Sequence, residues 1–121
     1  MQDSRICASC GRRFHYHARW RDNWPQVKYC SRQCASNKPG PAEAALEAAI
    51  LELLGQRARG ASICPSEIAR AEQPDNWQPL MEAVRRAARR LAARGQLVIT
   101  QKNRIIDPHD FRGPVRLRLP N

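Results

Sequence analysis

What this sequence lacks narrows its function before any motif is considered. No apolar run approaches the ~20 residues needed to cross a bilayer, and the start Met1-Gln2-Asp3-Ser4-Arg5 carries no apolar stretch of the secretory kind. Neither a membrane role nor export is expected; a reducing cytoplasm is, where Cys serves as thiol or metal ligand rather than disulfide. There is no Gly-rich phosphate loop, no recognisable acid pair and no nucleophile–base pair, so no enzyme is expected. Lysine is scarce: of 21 basic residues only Lys28, Lys38 and Lys102 are Lys, and the other 18 are Arg. Acidic residues number 11, leaving a formal net charge of +10, mostly of the bidentate, phosphate-matching kind. The 121 residues allow one ordinary domain or two small ones, and 42% apolar with 26% charged residues fits a folded chain.

The charge and the cysteines divide the chain. Residues 1–38 hold eight basic and two acidic residues and four of the five Cys, whereas residues 39–121 hold 13 basic and nine acidic ones. The run Ala35-Ser36-Asn37-Lys38-Pro39-Gly40-Pro41 continues neither helix nor strand. Two domains are therefore expected, 1–38 and 39–121, in an α+β chain.

In the first, Cys7-x2-Cys10 and Cys30-x3-Cys34 are two close pairs about twenty residues apart, a metal pattern in an intracellular chain. The two-residue spacer turns both sulfurs of the first pair to one side of a tight knuckle, and Gly11 supplies its permissive backbone. The three-residue spacer puts Cys30 and Cys34 on one face of a helical turn that Ser31 is placed to cap. Four thiolates suit Zn2+ best, with iron as the main competitor; a purely packed or disulfide-bonded set is the bland alternative. A segment this short needs a staple, and a structural zinc supplies an apparent ~10–16 kcal/mol. With four sulfurs no open position remains, so the metal is expected to be structural. His15 and His17 are read as exposed imidazoles rather than ligands. Phe14, Tyr16, Trp20, Trp24 and Tyr29 are read chiefly as the small core covering the metal, and otherwise as a stacking platform for bases. The string from Cys7 through Phe14, Trp20, Trp24, Val27 and Tyr29-Cys30-Ser31 to Cys34 resembles a short bacterial four-cysteine family of unknown function. It departs at Tyr16, where a Trp is expected. Its tail is also similar to the second half of treble-clef zinc knuckles.

In the second segment, Ala42, Leu46, Ala49, Ile50, Leu53 and Leu54 give a helical period over 42–58. Ala61-Ser62-Ile63 is a short extended piece, Pro65 opens a helix to about 73, and Asp75 or Asn76 caps a third helix that Gly95 stops near Arg94. Leu80, Val84, Ala87, Ala88 and Leu91 stripe one face of that helix; Arg85, Arg86, Arg89, Arg90 and Arg94 occupy the opposite arc. A hairpin follows, with its turn at Lys102-Asn103, and Val115-Arg116-Leu117-Arg118-Leu119 alternates like a strand. This order predicts a winged helix-turn-helix whose third helix enters the major groove.

The strings Cys64-Pro65-Ser66-Glu67-Ile68-Ala69-Arg70, Leu97-Val98-Ile99-Thr100-Gln101 and Arg112-Gly113-Pro114-Val115-Arg116-Leu117-Arg118 resemble a second uncharacterised bacterial family with a winged-helix-like fold. Asn103 stands where Gly is expected. Cys64 is read as a small buried or capping residue. The expected function is non-enzymatic nucleic-acid binding, to double-stranded DNA with weak sequence preference, through Arg85, Arg86, Arg89, Arg90, Lys102 and Arg104. The alternative is an adaptor docking on an acidic protein.

Overall fold

Each half of the chain builds its own apolar cluster in the computed structural model, which describes residues 4–120. The start Met1-Gln2-Asp3, where no secretory stretch was expected, lies outside the described residues. Among the described residues, no helix is long and apolar enough to cross a membrane.

In the first half, β1 (Ser4–Ile6) and β2 (Arg13–His15) pair antiparallel with Arg5 opposite Phe14. The sequence carries no period-2 signature for them, because the strands are three residues long and only Phe14 is buried. Short 3-10 turns at Ala18–Trp20 and Trp24–Gln26 fold the following loop back. Trp20 and Trp24 stack with centroids 5.7 Å apart, and both meet Phe14 edge to face at 5.5 and 5.9 Å. Phe14, Trp20, Trp24 and Tyr29 thus pack with the cysteines as one small core, whereas Tyr16, expected in it, is exposed and meets Trp24 edge to face. The half ends in α1 (Arg32–Ser36), where the Ser31 hydroxyl accepts from the Cys34 N–H at 3.1 Å, the cap its position promised.

In the second half, α2 (Pro41–Gln56) starts with Pro at its first position, where the missing N–H is harmless, and the Glu43 carboxylate accepts from the Gly40 N–H at 2.8 Å. α3 (Pro65–Glu72) starts the same way, Glu67 accepting from the Cys64 N–H at 2.9 Å. The third long helix begins later than the Asp75–Asn76 cap predicts. A 3-10 turn at Gln78–Leu80 precedes α4 (Met81–Ala93), because Pro79 fits only a first turn. Gly95, at φ +75°, stops it as expected.

The sheet runs β4 (Arg104–Ile105), β3 (Val98–Gln101), β5 (Arg116–Arg118), all antiparallel. Lys102 and Asn103 turn the hairpin with φ of +53° and +67°, the left-handed pair that a two-residue turn requires. Ile63 extends the sheet past β5 by exchanging two 2.8 Å backbone bonds with Leu117. The core between helices and sheet centres on Ile50, Ile63, Val84, Leu91, Ile99 and Leu117, all essentially fully buried. Truncating any one of the larger of these to Ala would cost about 2–5 kcal/mol. Helix α4 is covered on both sides: its apolar stripe faces this core, and its Arg side faces the first half of the chain.

Candidate metal centre

Four sulfurs converge where the two Cys pairs meet. Cys7 follows β1, and the turn after it is closed by Gly11 N–H to the Cys7 carbonyl at 3.0 Å and Cys7 N–H to the Arg12 carbonyl at 2.8 Å. A bond from the Ala8 N–H to the Lys28 carbonyl, 2.9 Å, draws the second pair across. Cys30 precedes the Ser31 cap and Cys34 lies one turn on, inside α1. The Cys10 and Cys30 sulfurs are 3.8 Å apart and those of Cys30 and Cys34 3.6 Å; all four lie within 4.8 Å of one another. None of the cysteines forms a disulfide. His15 and His17 are exposed and stand apart from this set, and the His17 ring nitrogen instead accepts the Arg19 N–H at 3.1 Å.

The thiols do not ionise alike. Cys7 is drawn down to about 4, first by its hydrogen bond with the Cys10 thiol and then, against burial, by the backbone N–H groups of Cys10 and Cys30. Cys10 is pushed up by that same bond and by burial. Cys30 is pushed up to about 11 by burial and by its bond with Cys34, the Cys7 charge adding to the rise. One thiolate forms readily and opposes the next. A cation among the sulfurs would remove that opposition, and the four sulfurs are close enough to one another to hold one.

The largest surprise lies beneath the knuckle. Arg89 is fully buried, with Nε donating to the Cys10 carbonyl at 2.6 Å and Nη2 to Glu82 at 2.9 Å. Arg90 is 7% exposed; its Nη1 donates to the Ser9 carbonyl at 2.8 Å and its Nε to Glu47 at 2.7 Å. Arg86 donates to the Ser9 hydroxyl, and Arg94 shares Glu47. The contact leaves no room at Gly11: a Cβ there would overlap the Arg89 side chain and backbone, so Gly11 serves the close approach as well as its φ of +76°. On the other side, Arg13 pairs with Asp107 at 3.1 Å and Asp110 at 3.0 Å, and His109 Nδ1 lies 2.8 Å from the Gly11 carbonyl. The knuckle is held between α4 and the 107–111 loop.

This corrects the expected nucleic-acid face. Arg89 and Arg90 are inside the protein, and Arg85 and Arg86 are half-buried. Helical periodicity reveals which arc is polar but not that another part of the chain covers it. Only Lys102 and Arg104, at the hairpin tip, are exposed as expected. Cys64 is half-buried at the start of α3, its sulfur accepting from the Ser66 hydroxyl at 3.0 Å. Ser9 and Glu47 had no signal in the sequence as parts of a site, and Gly11 was legible as the knuckle's permissive backbone but not as the point where α4 closes on it.

No curated protein matches the sequence. Residues 2–37, which carry the four cysteines, match a family of uncharacterised proteins conserved in bacteria (DUF2256). Residues 43–120, from the first turn of α2 to the end of the described chain, match the model for proteins of unknown function DUF3253. Because that match spans more than half its length, the chain belongs to the DUF3253 family.

Proposed function

We propose that the protein is a non-enzymatic nucleic-acid-binding protein in which Zn2+ at Cys7, Cys10, Cys30 and Cys34 fixes the first half against a winged helix. Zinc is favoured by a donor set of sulfur alone and by spacing. Zn–S bonds of ~2.3 Å in a tetrahedron place sulfurs about 3.8 Å apart, against 3.6 and 3.8 Å here. With all four positions filled by protein, the ion contributes folding energy and leaves no site for a substrate.

The winged-helix reading is supported by element order and by the sheet sequence Ile63, β5, β3, β4. The usual recognition surface on the third helix is covered, so the contacts pass to the hairpin. The carrying observation is a group of exposed cations around the end of β3. Lys102 lies in the turn and Arg104 follows it, Arg112 is drawn in by Gln101 donating to its carbonyl at 2.6 Å, and Arg116, across from Thr100, donates to the Ser62 hydroxyl at 2.6 Å and keeps its charge unpaired. None of the four has an acidic partner among the described residues, whereas Arg13, Arg57, Arg89, Arg90 and Arg94 all do. Cations without counter-charges suit phosphate.

Titration of the zinc-loaded full chain with labelled duplex tests this. Four neutralised phosphates give a slope of log K against log salt of about −3.6. The Lys102→Glu, Arg104→Glu double variant is expected to flatten it by about two. A salt-independent affinity, or a pulldown that recovers one acidic protein after nuclease treatment and no nucleic acid before it, would turn the reading to the adaptor.

A further inference from the structure

A second cationic site lies in the metal-bearing half, away from the hairpin. An open pocket of about 430 Å³ is lined by Arg19, Trp20, Gln26, Lys28, Tyr29 and Arg32. That volume is within the ~300–1,000 Å³ of small-ligand sites. Its aromatic wall is rigid, because Trp20 is locked between the Trp24 stack and the Phe14 edge. The Arg19 guanidinium lies 4.5 Å over the Trp20 ring. Arg19, Lys28 and Arg32 are exposed, and no carboxylate pairs with any of them among the described residues. The Gln26 amide and the Tyr29 hydroxyl are likewise without hydrogen-bond partners among the described residues.

Two free cations, a guanidinium laid over a fixed indole and two unused neutral polar groups around a single cavity match the parts of a nucleotide. The free cations take phosphate, the guanidinium plane backed by the indole takes a base, and the amide and hydroxyl take a base edge. A duplex keeps its bases paired and stacked, so only an unpaired strand can offer one. We propose that this pocket binds one nucleotide of a single-stranded nucleic acid, with phosphate on Lys28 and Arg32 and the base stacked on the Arg19 guanidinium over Trp20. The proposal rests on the nucleic-acid reading above and adds a second surface with a different strand preference.

The test uses the zinc-loaded full chain with short oligo(dT), oligo(rU), duplex and inorganic phosphate, read by anisotropy and by Trp emission. Oligonucleotide is expected to change the Trp emission; phosphate at the same concentration is not expected to displace it. Both cations in the Lys28→Glu, Arg32→Glu variant are exposed side chains, so zinc content and far-UV circular dichroism should be unchanged. Its single-strand affinity is expected to fall at least ~10-fold, the scale of losing two phosphate contacts, with duplex affinity retained. Trp20→Phe keeps a ring and is expected to lose less than Trp20→Ala, whose loss should be about 5- to 150-fold. Duplex binding without single-strand binding, or variants that bind oligonucleotide like the parent, would overturn the pocket and leave the hairpin reading intact. Failure to bind any nucleic acid would end both.

Discussion

Replacing Arg89 with Met asks whether the buried guanidinium serves the metal centre or only fills space. Met keeps much of the apolar stem and removes the charge and the donors. The Glu82 partner is 60% exposed, so its loss falls within the ~0.2–1 kcal/mol of exposed pairs. The Cys10 carbonyl differs, because its bond to Nε is buried at 2.6 Å, and a hydrogen bond from a charged donor contributes about 1.5–3 kcal/mol. Against this stands relief from desolvation, the main reason the Arg89 pKa is lowered. The sign of the balance depends on the metal. Four thiolates and a divalent ion sum to a net −2, which the buried cation offsets; the metal-free set, with Cys7 drawn down but Cys10 and Cys30 pushed up, carries less negative charge, and beside it the burial is mostly cost. Arg89→Met is therefore expected to cost about 2–3 kcal/mol in the loaded protein and close to nothing in the metal-free one. Competition with a chromophoric chelator should show zinc affinity weakened about 10- to 100-fold, and the Tm of the loaded form should drop about 5–12 °C by circular dichroism. Glu82→Gln should change neither measurably. Unchanged zinc affinity, with equal Tm losses in loaded and metal-free protein, would refute the electrostatic role and leave only packing.

Gly11→Ala combines a left-handed φ with overlap on Arg89 and should cost at least ~3 kcal/mol, seen as loss of zinc on dialysis; Gly60→Ala, left-handed at φ +84° but with open space around it, should cost only about 1 kcal/mol. Burial would raise the Glu47 carboxyl, yet bonds from Arg90 and Arg94 outweigh it and hold the carboxyl below its ordinary 4.5. A depressed folded pKa contributes stability that is complete above the unfolded value and fades as pH falls through the folded one. The gap in urea midpoint between parent and Glu47→Gln should thus be full above pH 4.5 and shrink below it. A gap independent of pH would contradict the paired carboxylate. Chelation should red-shift the Trp20 and Trp24 emission while most helical signal persists, because the Ile50–Leu117 core lies apart from the sulfurs; loss of all helix on chelation would contradict two separable cores.

Much of the local structure was legible because it is set by neighbours in sequence. Spacing of two and three residues brought the sulfurs of each Cys pair together, Ser31 capped α1, and Lys102-Asn103 made the tight turn. Where two local signals competed, the sequence misled. Asp75 and Asn76 look like caps, but Pro79, three residues after Asn76, dictates where regular helix begins. What was illegible is what depends on distant contact. Arg89 meets a carbonyl 79 positions away, and Arg90 one 81 positions away. A polar arc on a helix is the same string whether water or a knuckle covers it. The one hint was the cost of the arc itself: Arg85/Arg89 and Arg86/Arg90 stacked at i,i+4 repel unless something negative or carbonyl-rich lies against them.

That contact makes the surface charge depend on the metal, and the dependence can be measured. In the loaded protein Arg86, Arg89 and Arg90 are engaged by Ser9 and Cys10, so the proposed polyanion binding would draw on the cations near β3. Without metal, the short knuckle loses the energy that orders it, and neither the carbonyls of Ser9 and Cys10 nor the Ser9 hydroxyl any longer hold the guanidiniums of Arg90, Arg89 and Arg86. Arg89 and Arg90 keep Glu82 on α4 and Glu47 on α2, whereas Arg86 loses its Ser9 partner and faces solvent. Each additional phosphate contact steepens log K against log salt by about 0.9, so chelated protein should bind duplex with a slope near −4.5 rather than about −3.6. The stronger binding of chelated protein at low salt would accordingly be the less specific one. Equal slopes for loaded and chelated protein would mean that the Arg side of α4 stays covered without the metal, and that the contact between the two halves holds by itself.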